Sequence, residues 1–233
     1  MAASGNVGVV FVSHSARIAE GLVDLARQMA PSAALIAAGG TDDGRIGTSF
    51  ELVSAAIADA DTGAGVAVLC DLGSAILTAE TALDFLDDDV RARVRIVDAP
   101  LVEGGVAAAV AAEAGEALEQ VVAAAESARG AAVPADDSTA ASADGASTPA
   151  RSRTVTLVNA DGLHARPAAE LVKLASTFPQ RVTVNGTDAK SLLGIMSLGL
   201  TKGATVEIAS EDPEGLAAVE AIAALAESGF GEH

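Results

Sequence analysis

Two short stretches hold the residue types that could do chemistry. In "VVFVSHSARIAEG" His14 follows an apolar run and precedes a helix-forming one. In "NADGLHARPAAE" His164 sits in the same way, with Arg166 two residues on and Pro167 directly after it. The third and last histidine, His233, is expected to be a frayed terminal residue. Imidazole has an unperturbed pKa of about 6.5, so at pH 7 it is mostly neutral and an able nucleophile. A helix N-terminus beside it offers unpaired backbone N–H groups and the positive end of the helix dipole, a setting that suits a phosphoryl group. At His164 those donors would be the amides around Ala165 and Arg166. Pro167 lacks an N–H and fits the first turn, and the Arg166 guanidinium can hold phosphate oxygens in a two-pronged grip. Together these residues describe a site that takes phosphate onto His164 and gives it up again. A capping or surface histidine is the other reading that the residue types allow.

The elements around His14 follow a regular alternation. Apolar, β-rich runs at Val7–Val12, Ala34–Ala38, Val66–Cys70 and Val94–Val97 are each followed by a helical pattern, at Arg17–Met29, Ser49–Asp59, Ser74–Leu86 and Gly105–Ser127. Four β-α units predict an α/β fold, a parallel four-stranded sheet with helices on both faces and right-handed crossovers. Ligands of such sheets bind beyond the carboxyl ends of the strands, where the strand order reverses. His14 lies just past the first strand, and Asp71, in "VAVLCDLGSA", just past the third. With strand order 2-1-3-4 both side chains reach one crevice. Asp71 can then orient the histidine, or it can simply cap the helix that follows.

Residues 131–150, AAVPADDSTAASADGASTPA, are small, polar and aperiodic, and read as a flexible linker between a first domain at 1–130 and a second at 151–233. Twenty such residues have an end-to-end distance of roughly 25 Å and a stretched limit of about 70 Å. The second domain reads as a strand at Arg153–Val158, a helix at Pro167–Thr177, a strand at Arg181–Asn185, a short helix opening at Ser191, a strand at Thr205–Ala209 and a helix at Pro213–Glu227. That uneven spacing predicts an α+β domain with an antiparallel sheet.

Composition narrows the function further. The net charge is −18, and residues 1–130 carry nineteen acids against seven arginines and no lysine. Such a surface repels nucleic-acid phosphates and anionic lipid, so neither nucleic acid nor membrane is an expected partner. No run of about 18 uncharged apolar residues and no basic n-region with an apolar h-region occurs. Cys70 is the lone cysteine, expected as a small buried strand residue in a reducing cytoplasm. No metal-ligand cluster or cofactor motif appears. GGTDDG lacks the ending of a phosphate-binding P-loop, and Asp87-Asp88-Asp89 reads as a solvated loop.

Residues 153–230 resemble HPr, the histidine phosphocarrier of the bacterial phosphoenolpyruvate phosphotransferase system, through "NADGLHARPAAELVKLA" and "KSLLGIMSLGLTKGATVEIAS". The resemblance implies an open-faced four-stranded antiparallel sheet covered by three helices, with His164 as the phosphorylated residue and Arg166 as its stabilising neighbour. The stretch between Val184 and Lys190 is a few residues short of the usual pattern, which implies a truncated strand before Ser191. Ser191 sits where some HPr proteins carry a regulatory phosphorylation site; as a residue it equally suits a helix N-cap.

Residues 6–128 resemble the mannose-type IIA family, and within it the DhaM family of phosphotransferase subunits of phosphoenolpyruvate-dependent dihydroxyacetone kinases. The blocks that carry this are "VSHSARIAEG", "GGTDDGRIGTS", "CDLGSAILTAETAL" and "DAPLVEG". The resemblance implies phosphate on His14, ring orientation by Asp71, and turns at Gly39-Gly40-Thr41 and Gly73-Ser74 that line the phosphate. The implied relay runs from Enzyme I, acting in trans, to His164, then His14, then the ADP-binding subunit DhaL, whose ATP serves dihydroxyacetone held by DhaK. A homodimer through the first domain is implied as well. Two rival functions remain: a sugar-transport IIA–HPr fusion, disfavoured by Ser15 where mannose transporters more typically have Gly, and a module that reports phosphorylation state to a regulator.

Overall fold

A computed structural model describes residues 5–129, 151–159 and 162–231; the expected linker and His233 lie outside the described residues. The chain falls into two units that divide after residue 130.

In the first unit, strands β1 (Gly8–Ser13), β2 (Leu35–Gly39), β3 (Val66–Cys70) and β4 (Val94–Val97) form a parallel sheet in the order β2-β1-β3-β4. Every residue of β1 and β3 is buried, as continuous apolar runs between two helical layers require. Helices α1 (Ala16–Arg27), α2 (Phe50–Ala60) and α3 (Gly73–Asp84) follow the first three strands. After β3 and α3 comes a single turn, α4 (Asp88–Arg91), and after β4 come α5 (Leu101–Glu113) and α6 (Leu118–Glu126). Val10 and Val12 of β1 point into a core shared with Val53, Ile57, Ala75 and Ala79 of α2 and α3. The alternate residues face α1 and α5, where Phe11 is wholly buried. Alanine fills most helix contact positions, which lets the helices lie close on a sheet nearly free of aromatic side chains.

Two expectations need correction here. The single helix predicted at Gly105–Ser127 is two, because Gly115 takes φ +79° and ends α5. The Glu116 N–H bonds the Ala111 carbonyl at 3.1 Å and the Gly115 N–H bonds that of Ala112 at 3.0 Å, the two bonds of a Schellman stop. Asp88 and Asp89 are no loop, since they open the one-turn helix α4. Acidic residues suit a first turn, which explains the difference.

In the second unit, β5 (Arg151–Thr156), β6 (Thr183–Val184), β7 (Thr187–Asp188) and β8 (Thr205–Ser210) make an antiparallel sheet in the order β5-β8-β6-β7. Three helices accompany it: α7 (Ala165–Ser176), α8 (Leu192–Ser197) and α9 (Leu216–Glu227). Val206 and Ile208 of β8 are buried while Thr205 and Glu207 are exposed, the alternation of a sheet covered on one face. The strand predicted at Arg181–Asn185 stops at Val184. Asn185 and Gly186 take φ +47° and +81°, a two-residue turn of the kind that Asn-Gly favours, and the chain returns at once as β7. Among the described residues no helix is long and apolar enough to cross a membrane.

At Gly105 of α5 an added Cβ would lie 2.5 Å from a ring carbon of Phe11. Gly105→Ala is therefore expected to destabilise this unit by about 1–3 kcal/mol through overpacking, read as a lower denaturant midpoint. An unchanged midpoint would mean that α5 is not held tightly on β1.

Candidate functional site

The strand order makes β1 and β3 neighbours, with Val12 paired to Cys70. The residues that follow, His14 and Asp71, therefore emerge side by side at the carboxyl ends of the two central strands. The Asp71 N–H reaches the Val12 carbonyl at 3.1 Å and extends that pairing by one residue. His14 Nδ1 lies 2.9 Å from Asp71 Oδ1, and His14 Nε2 lies 2.7 Å from Ser74 Oγ. Both side chains are partly open to solvent, at 21% for His14 and 17% for Asp71.

The Asp71 carboxylate collects more than the ring. Oδ2 accepts the His14 backbone N–H and the Ser13 hydroxyl, each at 2.8 Å, and Oδ1 accepts the Leu72 N–H at 2.7 Å. Burial works against the charged form, but the His14 backbone, His14 ring, Ser13 and Leu72 donors outweigh it and hold the Asp71 pKa below the ordinary carboxylate value. An ionised carboxylate only accepts, so Nδ1 carries the ring proton and Nε2 keeps its lone pair, toward which the Ser74 hydroxyl points. Ser74 is the second residue of α3, so Nε2 faces the helix end where backbone N–H groups lack intrahelical acceptors. The neighbouring Cys70 is buried, and desolvation with the charges of Asp71 and Glu80 pushes its thiol up to about 12.

Of the residues singled out from sequence, His14, Asp71 and Ser74 come together. Thr41 does not join them: its hydroxyl donates to Asp43 at 2.6 Å and accepts the Arg45 N–H at 3.1 Å, which closes its own loop. That loop touches the site through backbone instead, with the Gly47 N–H on the His14 carbonyl at 2.9 Å. Sequence reasoning passed over Ser13. A polar residue ending an otherwise apolar strand was the available signal, and it is wholly buried.

In the second unit His164 is the N-cap residue of α7 and is exposed, with its carbonyl accepting the Ala168 N–H at 3.0 Å. The helix starts two residues earlier than predicted, at Ala165, so Arg166 lies inside its first turn, exposed and without an ion pair among the described residues. Gly162 has φ +65°, and a side chain there would run into the Leu200 carbonyl and Thr201. The Leu163 N–H bonds that same carbonyl at 2.8 Å, so the chain before His164 is fixed against the segment after α8. Ser191 is the N-cap of α8 and accepts the Gly194 N–H at 3.2 Å.

A parallel sheet with a carboxylate-held histidine, and an antiparallel sheet with a histidine at a helix start, define a chain of the phosphotransferase-system class. Family models agree: residues 8–122 match the PTS system fructose IIA component, and residues 151–228 match the PTS HPr component phosphorylation site. DhaM of Escherichia coli K12, called the phosphoryl donor subunit of PEP-dependent dihydroxyacetone kinase, is 38% identical over 243 residues. That match takes in 97% of this chain and 51% of the relative. A Listeria innocua DhaM is 44% identical over 105 residues, 45% of this chain and 84% of its own length. The phosphocarrier protein HPr of Cupriavidus necator is 40% identical over 84 residues, 34% of this chain and 94% of its own. The chain belongs to the DhaM family. It spans about half the length of the longer curated relatives that it matches.

Asp71 is charged and hydrogen-bonded in the folded state with a lowered pKa, so its contribution to stability is complete above the ordinary value of 3.8 and is lost as pH falls through the folded value. Asp71→Asn should consequently be less stable than the parent at about pH 5, with the gap narrowing on acidification below about pH 4. Denaturant midpoints across that range test this, and a gap that does not change with pH would contradict it.

Proposed function

We propose that this chain is a cytoplasmic phosphohistidine relay. Phosphate from phosphoenolpyruvate enters through Enzyme I onto His164, moves to His14, and leaves for the ADP-binding DhaL subunit of a dihydroxyacetone kinase that acts with DhaK. The observation that carries the reading is the line Asp71–His14–Ser74, in which one ring nitrogen is tied to a charged carboxylate and the other faces a helix N-terminus.

The chemistry follows from that line. The Nε2 lone pair attacks phosphorus as the donor N–P bond breaks, and that bond's electron pair returns to the donor imidazole. Nδ1 keeps its proton throughout. The ring gains positive character that the Asp71 carboxylate offsets, and the phosphoryl oxygens meet the Ser74 hydroxyl and the first N–H groups of α3. At His164 the corresponding donors are the first N–H groups of α7, with Arg166 adding charge. The Thr41 hydroxyl, bonded to Asp43 and Arg45 in its own loop, would have to leave those partners to reach a phosphate. Ser191 as a regulatory phosphorylation site would place charge on a hydroxyl already used as a cap. The reading includes a homodimer through the first unit, as the resemblance to mannose-type IIA domains implies.

With Enzyme I and phosphoenolpyruvate present, His164→Ala should leave His14 unlabelled. His14→Ala should keep His164 labelled yet stop delivery to the kinase subunits. Acid-labile phosphate on each domain, separated by proteolysis, reads both results; full labelling of His14 in His164→Ala would end the relay.

Arg166→Ala should slow phosphorylation of His164 by roughly tenfold while leaving the thermal midpoint in place, since the side chain is exposed and unpaired among the described residues. Rapid-quench kinetics with Enzyme I measure it, and an unaltered rate would remove the guanidinium from the site.

A further inference from the structure

Ser13 is the one polar side chain of β1, and it is entirely buried. A buried hydroxyl is costly unless bonded, and this one is bonded twice. It accepts the Ser15 N–H at 3.2 Å and has a single proton to give, which goes to Asp71 Oδ2 at 2.8 Å. The same oxygen takes the His14 backbone N–H, while Oδ1 takes Leu72 N–H and the ring. Without the hydroxyl, Oδ2 would keep one donor and the carboxylate could turn about its Cβ–Cγ bond. We propose that Ser13 is a positioning residue for phosphoryl transfer at His14, acting through Asp71: its hydroxyl fixes which carboxylate oxygen meets the ring, and so holds the proton on Nδ1 and the lone pair on Nε2. The inference rests on His14 being the phosphoryl acceptor of the first unit, and it adds a residue that touches neither the phosphate nor the ring.

The test uses the full chain with ¹⁵N-labelled histidine, Enzyme I and phosphoenolpyruvate. Ser13→Ala, and Ser13→Cys with nearly the original volume and a weak donor, should label His164 at the parent rate and His14 roughly tenfold more slowly. Their His14 nitrogen shifts should show both tautomers in place of the Nδ1–H form alone. Ser13→Thr, which keeps the hydroxyl, should restore the single tautomer and most of the rate. Parent-like rates and tautomer in both donor-poor variants would overturn the inference. So would slow transfer in all three variants with the tautomer unmoved, because that is a packing effect. Labelling of the first unit that persists in His14→Ala would instead overturn the acceptor reading, whatever the Ser13 variants do.

Discussion

The first unit is organised around the hydrogen-bond saturation of one carboxylate. Four donors converge on the two oxygens of Asp71, and they come from the end of β1 and the start of α3. Hydrogen bonds to a charged acceptor contribute about 1.5–3 kcal/mol each, enough together to offset partial desolvation of one exposed-edge carboxylate. The arrangement is possible only because β1 and β3 are adjacent and in register, so that His14 and Asp71 leave the sheet together. It also ties backbone and side chain to one group, since the His14 N–H and its ring both donate to Asp71. The ring cannot turn without the main chain noticing.

In the second unit the backbone around the histidine is fixed by close approach and hydrogen bonding. Gly162 allows a left-handed residue pressed on the Leu200 carbonyl, the Leu163 N–H bonds that carbonyl, and Pro167, Ala168 and Ala169 are buried in the first turns of the helix that the exposed histidine caps. Small residues on the buried side of a first turn let the helix start sit low on the domain, which leaves His164 at the surface. One site uses a charged side chain to fix a ring, and the other uses a fixed helix start to present one.

Much of this was legible from residue order. Runs such as Val66–Cys70 are apolar at every position, and only a strand covered on both faces tolerates that, so the parallel sheet could be read directly. His14 and Asp71 could be grouped on the condition of strand order 2-1-3-4, which the sheet adopts, while Ser74 came with the family resemblance. What escaped was set by local bonding that periodicity does not encode. An alanine-rich pattern runs unbroken through Gly115, and only the two stop bonds there divide α5 from α6. Thr41 sits beside a glycine turn at the right end of the sheet, yet its hydroxyl is spent on Asp43 and Arg45. Ser13 lies one residue past the predicted strand at Val7–Val12, and its burial at the end of β1 is set by the bonds it makes to Asp71 and Ser15.

The two outer strands of the antiparallel sheet are β5 and β7. A sheet edge with free N–H and C=O groups invites another strand to add, and such addition is slow to reverse. β7 has only two residues to offer, while β5 carries Arg151 and Arg153, the latter paired with Glu220 and Glu227 of α9. A short edge on one side and a charged one on the other keep the domain from zipping onto neighbours. The Asn185-Gly186 turn, by cutting the hairpin to its minimum, thus leaves that edge too short to template a further strand.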